Sequence, residues 1–188
     1  MALIIKDRNV VTDPWRRLDR TADGGVPAVP PAEDVIVPLA LWREHRAPLL
    51  ARPGRLGVWL EGGEDPAAIA DDLGLFGVVA IRFPKLTDGR GYSTGRLLRE
   101  RYGYRGELRA FGDVLRDQLF DLARCGFDAF ELREGEDLEA ALSAFGDFSE
   151  TYQASVGQPL PLFRRRGGSP SGSGGLFDEN GSSRDPIP

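Results

Sequence analysis

Between Phe83 and Arg133 the chain reads FPKLTDGRGYSTGRLLRERYGYRGELRAFGDVLRDQL and continues FDLARCGFDAFELR. Lys85, Asp88, Arg90, Tyr92 and Ser93, with Gly89 and Gly91 among them, lie between a strand-like run and a helical one. A glycine-rich loop that enters a helix exposes backbone N–H groups and the positive end of the helix dipole. Those are the elements that hold phosphate, sulfate or sulfite. Lys85 and Arg90 add formal charge, and an arginine can give paired hydrogen bonds to an oxyanion. The same residues also suit a tight turn in which Asp88 and Ser93 only cap the chain.

A second group lies near the ends of three strand-like runs: Arg82 in IRF, Arg109 in LRA and Arg133 in LRE. In neighbouring strands of similar register they project to one side, where they hold an anion or need carboxylates between them. Glu107 and Glu131, each two positions before an arginine, share its face, so Arg–Glu pairing across strands is the simpler expectation. Asp113 follows Gly112 at a strand end. It reads as a helix N-cap, or as a general acid or base facing the loop. Gln118 lies one turn further on. Gly89, Gly91 and Gly95 approach a dinucleotide fingerprint, but the loop is long and does not open the fold.

The rare residues narrow the chemistry. One cysteine, Cys125, and one histidine, His45, are present. They cannot supply four thiolates for an iron–sulfur cluster, a Cys/His zinc site or a CxxC redox pair within one chain. Cys125 beside Gly126 has no histidine nearby in sequence to activate it and reads as a structural thiol. Metal ligation is not expected, and the cofactor is left open. A net charge of -5 and a pI near 5.0 speak against nucleic acid as the main partner. No apolar run is long enough to span a bilayer, and MALIIKDRNVV lacks a signal-peptide apolar region. A cytoplasmic location without membrane attachment is expected.

These residues need a frame. Residues 1–33 read as a strand pair around Asp7-Arg8-Asn9 followed by a flexible Pro/Gly/Ala-rich connection over Thr21 to Pro31. Residues 34–163 read as an α/β domain. DVIVP, LGVWL, VVAIRF and the Glu107–Phe111 and Asp128–Leu132 runs are strands. Helices lie between them, with Asp65-Pro66 as a start signal, Gly74, Gly103 and Gly126 as stops, and Asp113 and Asp137 as caps. Leu39 to Arg46 forms a helical turn or two that Pro48 ends. Repeated βα units imply a mainly parallel sheet with right-handed crossovers. Five units are too few for an eight-fold barrel, so an open sheet is expected, with a partial barrel as the alternative. In either, ligands sit at the carboxyl ends of the strands. Residues 164–188 combine a basic Arg164–Arg166 run with a Gly/Ser/Pro-rich tail expected to be disordered.

The runs FPKLTDGRGYS, LLRERYGYRGELRAFGDVLRDQL and RCGFDAFELR resemble an uncharacterised bacterial family. The resemblance extends over roughly Leu3 to Arg166. That family carries an oxidoreductase label tied to sulfite reduction, drawn from genes beside the sulfite reductase hemoprotein and the phosphoadenylylsulfate reductase. The resemblance implies an accessory protein or oxidoreductase component of assimilatory sulfite reduction, within sulfate assimilation and cysteine biosynthesis. Its partner would be sulfite reductase or another sulfur-assimilation enzyme, and its ligand a small oxyanion at the Lys85–Ser93 loop. The residues alone leave two other classes open. One is a stand-alone enzyme acting on an anionic small molecule; the other is a structural protein-binding subunit.

Overall fold

The structure is a computed structural model that describes residues 2–19, 28–85, 87–146 and 156. Arg164–Arg166, the tail and most of the Thr21–Pro31 connection lie outside the described residues. Eight strands form one sheet: β1 Leu3–Lys6, β2 Asn9–Thr12, β3 Arg16–Arg17, β4 Val35–Pro38, β5 Leu56–Glu61, β6 Val78–Phe83, β7 Glu107–Gly112 and β8 Ala129–Phe130. Their spatial order is β2-β1-β8-β7-β6-β5-β4-β3. From β3 to β8 each strand lies parallel to the next in sequence. The β1–β2 hairpin joins β8 antiparallel. Its turn residues Asp7 and Arg8 have φ of 49° and 63°, the pair of positive values that a tight type I′ turn requires.

Strands added in sequence order, with crossovers of one hand, send every helix to the same face. The sheet therefore curls into a half-barrel, with β2 and β3 as its free edges. The α/β reading with a mainly parallel sheet holds, and the curl is that of the partial barrel. On the outer face Val35, Val37, Val58, Leu60, Val79, Ile81 and Leu108 pack beneath the helices in one core. The alternate residues Ile36, Trp59, Val78, Ala80 and Phe111 line the concave face, where Trp15 joins them. Both faces of the central strands are thus apolar, which is why these runs lack polar alternation.

The helical elements depart from the sequence reading in instructive ways. Helix α1, Leu39–Leu50, continues through Pro48 because the backbone breaks at His45 (φ -127°, ψ 31°). Proline then falls in the first turn after the break, where its missing N–H costs little. Asp65 accepts from the Ala67 N–H and Pro66 follows, as expected, but the segment Pro66–Leu75 winds as a 3-10 helix. Helix α2 spans Arg90–Glu100, so the Arg90–Ser93 part of the expected loop is already helical, and the chain leaves the helix through Gly103 (φ 65°). The N-cap position of the helical segment Arg116–Gln118 falls on Leu115 and not on Asp113. The Leu115 N–H is met by Gln118 Oε1 at 3.0 Å, ahead of α3, Leu119–Arg124. Asp137 does cap α4, Leu138–Ala141, through the Ala140 N–H.

The glycine spacing has a packing explanation. A Cβ on Gly91 would lie 2.6 Å from the Phe83 ring, and one on Gly95 would lie 2.3 Å from the Phe127 ring. Four residues apart on α2, the two glycines seat these rings against the sheet. Gly89 has open space around its Cβ position. Gly95→Ala is therefore expected to destabilise by about 1–3 kcal/mol through overpacking, and Gly89→Ala by less than about 1 kcal/mol. Urea denaturation of the two variants checks the contrast.

Candidate functional site

The carboxyl ends of β5, β6, β7 and β8 meet at one edge, and most of the chemistry-bearing residues gather there. After β6, Lys85 is exposed and forms no ion pair among the described residues. Three residues on, the Asp88 carboxylate accepts from the Arg90 backbone N–H at 3.2 Å and from its guanidinium at 2.9 and 2.6 Å. The arginine hydrogen bonds hold the Asp88 carboxyl well below its ordinary range, down to about 2. The chain's own carboxylate thus occupies the place where the α2 amino terminus and Arg90 would receive an anion.

The loop is anchored from behind. Thr94 Oγ1 donates to the Gly62 carbonyl at 3.2 Å, which ties α2 to the turn after β5, while Ser93 faces solvent. A Cβ on Gly63 would lie 2.6 Å from the Arg90 guanidinium. The two loops are in direct contact. Tyr92 packs edge-on against Phe83, centroids 5.4 Å apart, and its hydroxyl accepts from Gln118 Nε2 at 3.2 Å. Burial pushes the Tyr92 hydroxyl up, so the ring serves as a neutral post. Gln118 is therefore a staple between the β7 loop and α2. Thr94, missed in the sequence, has no motif to mark it beyond being a β-branched residue that faces a carbonyl.

Asp113 lies at the same edge, where its N–H donates to the Phe83 carbonyl at 2.7 Å. Gly112 makes that contact possible, with φ of 106° and a Cβ position 2.5 Å from the same oxygen. Arg133 reaches Asp113 at 3.3 Å and Glu136 at 3.5 Å. The structure thus brings Lys85, Asp88, Gly89, Arg90, Gly91, Tyr92, Ser93, Asp113 and Arg133 to one edge.

Arg109 is elsewhere. It opposes Ala80 and Ala129 in the sheet, three positions before the end of β7 at Gly112, and is only 1% exposed. Its guanidinium donates to Asp13 at 2.7 and 2.9 Å and to Glu107 at 2.9 and 2.7 Å. Lys6 closes the group with a 2.8 Å contact to Glu107. Burial by itself would lower the Arg109 pKa, but these carboxylates more than offset it and leave it raised. The three strand-end arginines do not form a cluster. Arg82 pairs with Glu61, Arg109 with Glu107 and Asp13, and Arg133 with Asp113.

Beside the loop, on the concave face, a cavity of about 550 Å³ opens at the carboxyl ends of β4 to β7. Trp59 and Phe111 contribute rings to it, edge-to-face at 5.7 Å. Arg17 lies 4.2 Å over Phe111 and pairs with Glu131 at 2.5 Å. Arg82, Glu61, Glu64 and Asp19 complete the polar lining. Of these the sequence singles out only Arg82; Trp59 reads as packing and Arg17 carries no strand signal. Cys125 is half-buried, and burial pushes its thiol up, away from the reactive thiolate. Among the described residues no group of three or more His, Cys, Asp and Glu side chains could hold a metal ion. Among the described residues no helix is long and apolar enough to cross a membrane.

Two outcomes follow from the charge placement. Arg109→Met leaves Asp13 and Glu107 buried without their partner and is expected to cost about 3–5 kcal/mol, read as a lowered urea midpoint. Arg90→Ala removes the main cause of the Asp88 shift. Carbon-detected NMR titration should then show the Asp88 carboxyl rising from about 2 towards its ordinary value of 3.8. The sign is that of a depressed acid: the Asp88–Arg90 pair is present above that ordinary value and is lost as pH falls through about 2.

No curated protein matches the chain. Residues 57–163, from β5 onward, match the model of a family described as "Bacterial protein of unknown function (DUF934)", and the chain belongs to that family.

Proposed function

We propose that the protein is an accessory component of assimilatory sulfite reduction, acting in sulfate assimilation and cysteine biosynthesis. It binds an oxyanion, or a partner such as sulfite reductase, at the Lys85–Ser93 loop. The pathway rests on the resemblance of the Phe83–Arg133 segment to the family linked with sulfite reduction. The binding mode rests on the loop itself. Lys85 stands exposed without an ion pair among the described residues, next to an Arg90 whose pairing is at the surface.

The Asp88–Arg90 pair favours docking of a partner over capture of a free oxyanion. Asp88 is ionised at neutral pH and competes for Arg90 with any incoming anion. A pair at the surface is weakened by solvent screening, so a partner's acidic side chain can replace Asp88 when other contacts add to it. A free ion has no such additional contacts. Complementary surface charge of this kind speeds and orients association. A second reading is an enzyme acting on an anionic small molecule, with Asp113 as acid or base. It draws on the adjacent cavity, although Asp113 is engaged by Arg133.

A strain lacking the gene is expected to grow on sulfide or cysteine but not on sulfate or sulfite. Complementation by Lys85→Glu or Arg90→Glu should fail although the variants remain folded, and each should lose co-purification with sulfite reductase. Normal growth of the deletion strain on all four sulfur sources would overturn the pathway reading.

A further inference from the structure

The cavity on the concave face carries an inference that does not depend on the docking loop. Three carboxylates, Asp19, Glu61 and Glu64, line it against two guanidiniums, Arg17 and Arg82. Both arginines already have partners, Arg17 in Glu131 and Arg82 in Glu61. A free oxyanion entering the cavity would have to break one of these pairs and would then face the remaining acids. A simple cation would meet two guanidiniums. A ligand that carries both signs avoids either conflict.

The two ion pairs differ in how readily they open. Arg17 is half-buried, stacked on Phe111 and held by Glu131, and serves as a wall. Arg82 and Glu61 are 47% and 43% exposed at the rim, 2.9 Å apart. An exposed pair of this kind is weakened by solvent screening, so it separates readily. A ligand carboxylate can take the Arg82 guanidinium while its ammonium takes Glu61, which replaces one ion pair with two. The Trp59 and Phe111 rings beneath offer an apolar and aromatic floor for the body of the ligand. The volume is within the range of small-molecule sites, about 300–1,000 Å³. Its position at the carboxyl ends of parallel strands is the usual one for ligands of such sheets.

We propose that this cavity binds a small zwitterion of the α-amino acid class, its carboxylate on Arg82, its ammonium on Glu61 and its side chain over Trp59 and Phe111. The test is calorimetric titration of the full chain with the proteinogenic amino acids. The best binder is then compared with its N-acetyl derivative, its methyl ester and inorganic sulfate.

Saturable binding of at least one amino acid is expected. Acetylation and esterification should each weaken it by about tenfold or more, as should Arg82→Gln and Glu61→Gln, since each removes one charge-assisted contact. Lys85→Glu should leave it unchanged, which separates this site from the docking loop. Both rim variants alter exposed side chains, and unchanged urea midpoints would confirm their folding. Three results would overturn the proposal. They are no binding of any amino acid up to about 10 mM, equal binding of the N-acetyl form or of sulfate, which makes the cavity an anion site, and equal binding of the ester, which makes it a cation site.

Discussion

Arg109 is buried on the concave face of a curled sheet, and its charge has to be neutralised there. Glu107, two positions earlier on the same strand, supplies one carboxylate by the period of the strand itself. The second comes from Asp13, in the segment between β2 and β3. That contact draws the segment across the concave face, where Trp15 lies against Gly77 and the Trp59 indole N–H donates to the Leu18 carbonyl at 2.9 Å. Lys6 on β1 meets Glu107 from the other side. One ion group therefore ties the antiparallel hairpin, the central parallel strands and the β2–β3 segment together. A buried group of this sort adds less to stability than its Coulomb energy suggests, but it strongly disfavours arrangements that leave one member unpaired.

The curl that this group spans also sets the edge at which the candidate site lies. Because the strands are added in order, the loops after β5, β6 and β7 are direct neighbours. Gly62, Gly91 and Gly112 are small where these loops touch. The Lys85–Ser93 loop and the concave cavity are thus two sides of one rim, joined through Arg90 and the turn that holds Glu61 and Glu64. The outer side presents an exposed lysine, without an ion pair among the described residues, and a surface ion pair. The inner side presents mixed charges over aromatic rings. Different ligands suit the two sides for electrostatic reasons, and each can be altered without the other.

The central strands could be read from the chain because both of their faces are apolar. VVAIRF and LGVWL are nearly continuous apolar runs, and caps such as Asp65 and Asp137 act through bonds to backbone two or three residues away. Local signals of that kind need no knowledge of the rest of the fold. The start of α2 at Arg90 was less visible, since a glycine-rich approach reads as loop. The strand β3 left no trace, because two arginines carry no apolar alternation.

What the sequence by itself determined is therefore the α/β class, the alternation of strand and helix, and the loop and strand ends at which polar residues collect. These follow from periodicity and capping, which act over a few residues. The tertiary structure alone decided the curl of the sheet, the burial of Arg109 and the membership of the cavity. Arg17 and Glu131 are 114 positions apart, and Asp13 and Arg109 are 96 apart. No local preference encodes such a pairing; it arises only when the crossovers have stacked the strands in order and the concave face has closed around its own charges.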